Sequence, residues 1–147
     1  MTLREATDES GHLLYATDVG IEIESVTRDA SEIWRIYPKQ PIYGVSRQDV
    51  FKFQLAGIAA LVAMDLTRPE DVFQEDFATV LQDMITDTQN PLSPELARAV
   101  ATKYLREVVT LFGEQRYRDA LTRCAQYLQA HDGISGESVM EVARGFF

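Results

Sequence analysis

Fourteen basic side chains stand against 23 acidic ones, and eleven of the fourteen are arginine. The planar guanidinium fork suits phosphate and carboxylate oxygens. Arginines gathered on one helix face could therefore hold a nucleic-acid backbone without reading its bases. Arg98, Thr102 and Arg106 follow one another at four-residue steps, with Lys103 alongside. Arg116 and Arg123 share a face one helical stretch later, with Arg118 nearby, and Lys39, Arg47 and Lys52 flank an earlier helix start. Glu107, Glu114 and Asp119 interrupt this pattern, so the plainer account is internal ion pairing.

A second chemistry would use the acids. Glu70, Asp71, Glu75 and Asp76, with Asp83 and Asp87 further on, include pairs at helical spacing. Close carboxylates can hold Mg²⁺ against a phosphate, which would make Asp71, Glu75, Asp83 and Asp87 the centre of a metal-dependent hydrolase. Such an enzyme would want a second acidic pair on a facing helix, and none is evident. The plainer account is a solvated acidic face. His12 and His131 are the only histidines and Cys124 the only cysteine. They are too scattered to suggest the three or four clustered ligands of zinc. His131 is expected to meet the carbonyl end of its own helix, and Cys124 to be a small buried apolar residue. There is no phosphate loop, dinucleotide fingerprint or nucleophile elbow. Neither catalysis nor a cofactor or metal is expected.

The elements that would position these groups are mostly helical. Residues 1–11 read as a frayed, solvated start. Val19, Ile21 and Ile23 alternate with polar positions, which predicts a short strand or extended arm, paired with residues 12–15 or lying along the helical body. Asp29 and Glu32 have capping-box spacing, which predicts a short helix through Ile33, Trp34 and Tyr37, stopped by Pro38. Ser46 and Asp49 open a long helix to about residue 66. Its second half is apolar on every side, the mark of a buried central helix. Another helix begins near Pro69 and carries Phe73, Phe77, Val80, Leu81, Met84 and Ile85 at helical spacing. Ser93 and Pro94 start the next, which Gly113 ends, and further helices cover residues 114–131 and 137–144. Short loops imply antiparallel neighbours. The expected fold is mainly α: a four- to five-helix bundle over residues 45–147, preceded by an acidic arm over residues 1–44.

The chain has 147 residues, a net charge of −9, 46% hydrophobic and 25% charged residues. That is one ordinary globular domain. The longest apolar run, residues 55–64, is half a membrane span. With no secretory leader apparent in residues 1–11, no membrane partner and a cytoplasmic location are the expectations. The charge is segmental. Residues 1–32 and 69–95 are strongly acidic, whereas residues 33–68 and 96–123 each carry a surplus of three positive charges.

A helical bundle of this size with arginine-bearing faces resembles the small subunit of type I CRISPR effector complexes. The stretch Trp34-Arg-Ile-Tyr-Pro-Lys-Gln-Pro-Ile-Tyr-Gly-Val-Ser-Arg-Gln looks like the C-terminal part of a type I-D large subunit. In that system the small subunit is made from an internal start. The resemblance covers the chain from about Trp34 onward. It implies a non-catalytic scaffold that binds other protein subunits and supports guide RNA and the target or displaced DNA strand through backbone contacts. Arg47, Lys52, Arg98, Lys103, Arg106, Arg116 and Arg123 would make those contacts. The overall negative charge departs from the basic surface of such subunits. The competing expectation is an acidic adaptor or toxin-neutralising module, in which residues 70–87 dock on a basic partner protein.

Overall fold

The computed structural model describes residues 1–68, 75–131, 133–135 and 139–147. It is mainly helical, as expected, with six helices and three short strands among the described residues. The first helix, α1 (Leu3–Val19), replaces the expected frayed start. Thr2 and Glu5 form a reciprocal capping box: the Glu5 amide donates to the Thr2 hydroxyl (3.1 Å) and the Thr2 amide to the Glu5 carboxylate (2.9 Å). Gly20, at φ 86°, closes the other end with its amide on the Ala16 carbonyl. The buried side includes Ala6, Thr7, Ser10, Gly11, Leu13 and Leu14. Much of it is small rather than apolar, so the stripe reads as polar. Thr2→Ala should cost about 1 kcal/mol, read as a lower denaturant midpoint. An unchanged midpoint would mean that this cap is not formed.

The central helix is α2 (Arg47–Ala63), capped by the Ser46 hydroxyl accepting from the Asp49 amide (3.1 Å). Its Phe53, Ala56, Ala59 and Ala60 join a core with α1, the strands and the helices α5 (Gln115–Ala130) and α6 (Val139–Arg144). Its Leu55 and Ile58 join a second core with Phe77, Val80 and Met84 of α3 (Glu75–Ile85) and Ala97 and Ala101 of α4 (Pro94–Phe112). A helix apolar all round thus serves two cores at once. The first of these cores draws side chains from both sides of the expected boundary at residues 44 and 45. Consecutive α4 and α5 are not close neighbours: α4 packs chiefly on α2, and α5 chiefly on α1. Phe73 and the expected helix start at residues 69–71 lie outside the described residues.

The strands β1 (Ile23–Arg28) and β2 (Trp34–Pro38) form an antiparallel hairpin, with Val26 opposite Ile36 and Arg28 opposite Trp34. A two-residue strand, β3 (Ile134–Ser135), adds to the other side of β1, giving the order β2-β1-β3. The partner of β1 is therefore not residues 12–15, which are helical. Nor does Asp29 start a helix. Its carboxylate accepts from the amides of Ser31 (2.8 Å) and Ile33 (3.1 Å) and from Arg35 Nε (2.7 Å), which closes a turn. The β-branched and aromatic residues after it then favour a strand. Trp34, Ile36 and Pro38 alternate inward, while Arg35 and Tyr37 are exposed. No helix among the described residues is long and apolar enough to cross a membrane.

Candidate functional site

The seven candidate phosphate contacts do not form one strip. Arg47 is ion-paired with Asp87, whose side chain is almost fully buried. Two backbone amides, from Gln89 and Asn90, and the Arg47 guanidinium hold the Asp87 carboxyl below its ordinary range. Lys52 Nζ lies 2.6 Å from Glu107 and over the Tyr104 ring. That contact is the largest cause of a lowered Glu107 pKa. Arg116 stacks on Phe147 (4.7 Å to the ring centroid), and Arg123 Nε donates to the Phe146 carbonyl (3.0 Å). These two arginines bind the residues that follow the chain's own last helix. Arg98, Lys103 and Arg106 remain on the exposed side of α4, with Lys103 3.9 Å from Glu107. The expected pairing of α4 with α5 into one cationic surface fails because the two helices pack on different partners.

The acids meet a similar fate. Asp83 accepts from Gln54 Nε2 (3.1 Å), and Asp87 is occupied by Arg47, so these two do not make a metal pair. Glu70 and Asp71 lie outside the described residues, as does the side chain of Glu75. Cys124 is fully buried, and burial pushes its thiol up to about 12. His131 Nδ1 lies 2.8 Å from the Tyr127 carbonyl, at the end of α5 as expected.

A different cluster forms where α1, β2 and α3 meet. α1 places Asp8, Glu9 and His12 within one turn, and α3 brings Asp76 to them across 64 residues of sequence. One ligand atom each from Asp8, His12 and Asp76 lies within 4.8 Å of the other two. His12 Nε2 is 3.3 Å from Asp8 Oδ1, and His12 Nδ1 is 2.7 Å from the Phe53 carbonyl of α2. The ring also meets Phe53 edge-on. Space for the pair comes from Gly57: a Cβ there would lie 2.4 Å from Asp8 Oδ1 and 2.5 Å from His12 Nε2. Glu9 is 8% exposed, and its Oε2 has no hydrogen-bond partner. These residues line a cavity of about 610 Å³, with Arg4, Trp34 and Arg35 on its walls.

The electrostatics follow from burial and crowding. Burial pushes the Glu9 carboxyl up to about 7, against the pull of His12 and with the push of Asp8 and Asp76. Burial alone would lower His12. The bonded Asp8 carboxylate, Glu9 and the Phe53 carbonyl outweigh it and hold the imidazole at about 9. The pocket therefore favours a positive charge among its carboxylates. The sequence signal for it was the Asp8, Glu9 and His12 spacing, which carries meaning only once α1 is known to be a helix. No protein-family model matches the chain, and no curated protein matches it significantly.

Proposed function

We propose that this chain is a binding subunit that docks on a protein partner through β2 and the loop that follows it. The observation that carries this reading is where exposed apolar surface falls. Of the five large hydrophobic side chains that stand exposed among the described residues, Ile33, Tyr37 and Tyr43 fall within eleven consecutive positions. Tyr43 is 80% exposed. Tyrosine couples a large apolar area to a polar tip and is enriched in interface hot spots. Exposed Glu24 and Glu32 stand on the same hairpin beside exposed Arg28, Arg35 and Lys39, so the patch offers charges of both signs around its apolar centre, as a polar rim does. This is the adaptor reading, moved from residues 70–87 to the hairpin.

The CRISPR small-subunit reading, with guide RNA and target or displaced DNA as partners, keeps one supporting feature. That feature is the exposed placement of Arg98, Lys103 and Arg106 on α4. Three cations on a chain of charge −9 make weak, salt-sensitive contacts at most. The two readings separate in one experiment. The chain is purified at low salt with whatever accompanies it, and the same preparation is made from Tyr37→Ser/Tyr43→Ser and from Lys103→Glu/Arg106→Glu. The docking reading expects the first variant to lose a stoichiometric protein companion by about tenfold or more, with helicity unchanged. Loss of a nucleic-acid companion in the second variant only, with the first unaffected, overturns it in favour of the nucleoprotein role.

A further inference from the structure

We propose that Asp8, His12 and Asp76, with Glu9 beside them, bind one divalent transition-metal ion of the manganese-to-zinc range. This goes beyond the docking reading and does not depend on it. The donors come from two helices, α1 and α3, that otherwise make little contact, since α3 packs on α2 and α4. Metal–ligand bonds of about 2.0–2.2 Å place ligand atoms about 3–4 Å apart. Ligand atoms already within 4.8 Å of one another need a closure of no more than about 1–2 Å. That adjustment falls to Asp76, the exposed member of the three, which would exchange its present contact for the ion.

Three further features fit a cation. The first is the anchoring of His12. With Nδ1–H donating to the Phe53 carbonyl, Nε2 is aimed at the carboxylates, and an ion binding there would displace the Nε2 proton that Asp8 otherwise faces. Metal-bound histidines are oriented in this way, by a backbone carbonyl on the far nitrogen. The second is Glu9, whose buried Oε2 faces no donor although it lines the same cavity. A buried carboxylate oxygen without a donor is costly, and a cation held by Asp8, His12 and Asp76 in the cavity that Glu9 lines would offset its charge. The third is Gly57, which removes the side chain that would otherwise force Asp8 and His12 apart. One imidazole nitrogen with several carboxylate oxygens suits borderline first-row ions. Magnesium and calcium prefer oxygen alone. The ion would tie α3 to α1 and fix one wall of the cavity against β2.

The test is calorimetric titration of chelator-stripped protein with Zn²⁺, Mn²⁺, Mg²⁺ and Ca²⁺, with Co²⁺ absorption reporting imidazole ligation. The expected result is one ion per chain, with Zn²⁺ or Mn²⁺ at least tenfold tighter than Mg²⁺ or Ca²⁺. The melting temperature should rise by about 8 °C at a hundredfold excess over Kd. Asp76→Asn, on an exposed position, and Asp8→Asn should each weaken binding about tenfold or more, whereas His131→Ala should leave it unchanged. If Asp8→Asn fails to fold, Asp76→Asn alone decides. Absence of saturable binding, affinity unchanged in Asp76→Asn, or equal affinity for Mg²⁺ overturns the proposal and leaves the cluster as a buried ion pair.

Discussion

Gly11→Ala is expected to destabilise the protein by about 2 kcal/mol, even though alanine is the better helix former. In an open helix that exchange gains about 1 kcal/mol. Here α1 crosses α2 so closely that an added Cβ would sit 2.4 Å from the Ala56 carbonyl oxygen and 2.6 Å from the Ala60 Cβ. Neither atom is the tip of a flexible side chain, so the helices must move apart. Overpacking of this kind costs about 1–3 kcal/mol or more, and the larger figures apply when backbone has to shift. Gly11→Val should be worse still. Denaturant unfolding measures both, and an alanine variant as stable as the parent would show that the crossing is wider than described. Gly57→Ala is the instructive contrast. Its Cβ would meet the ends of the Asp8 and His12 side chains, which can swing aside. The smaller loss of stability would be accompanied by loss of the Asp8–His12 pair.

Metal-free protein is expected to lose stability as the pH rises from 5 to 9. Glu9 has a folded pKa of about 7 against an ordinary 4.5. The fold therefore favours its protonated form, and that contribution is complete below pH 4.5 and gone above 7. His12 has a folded pKa of about 9 against 6.5. Its contribution is complete below pH 6.5 and is lost as the pH climbs through 9. A shift of this size corresponds to about 3 kcal/mol for one group. The two groups interact, because the Glu9 charge helps to hold the His12 proton, so the total stays below twice that figure. Asp29, Asp87 and Glu107, held below their ordinary values, change stability only toward acid pH, where it falls as they protonate. Urea midpoints across this range check the sign. Asp8→Asn should flatten the upper half of the curve and Glu9→Gln the lower half. Stability that rises with pH over the same interval would contradict the arrangement around His12.

How much was legible depended on whether a segment's own residues or a distant neighbour decided its structure. α2, α4 and α5 carry their apolar faces and caps in plain view: Ser46, Ser93 with Pro94, and Gly113 mark boundaries that hold within a few residues. α1 was hidden because Ala6, Thr7, Ser10 and Gly11 make its contact face by being small, which hydropathy does not register. The Thr2–Glu5 capping box was the available sign. Asp29 has the expected chemistry and a different outcome. Its carboxylate does gather amides after it, but the last of them, Ile33, leads directly into Trp34, which pairs with Arg28 of β1. The cluster of Asp8, Glu9, His12 and Asp76 needed tertiary structure, because α3 is brought beside α1 only through packing on α2 and α4. The cationic strip failed for the same reason. Arg116 and Arg123 are spaced for a shared face, and the packing of residues 146 and 147 then uses both.

α2 lies in both cores, and that has a consequence for how the sequence can drift. A change in side-chain volume on α3 or on the hairpin disturbs one neighbour, and a compensating change can follow nearby. A change at residues 55–60 presses on α1 and α4 together, and the two responses have to agree. Drift should therefore be slowest along that stretch, whatever the surfaces around it come to bind.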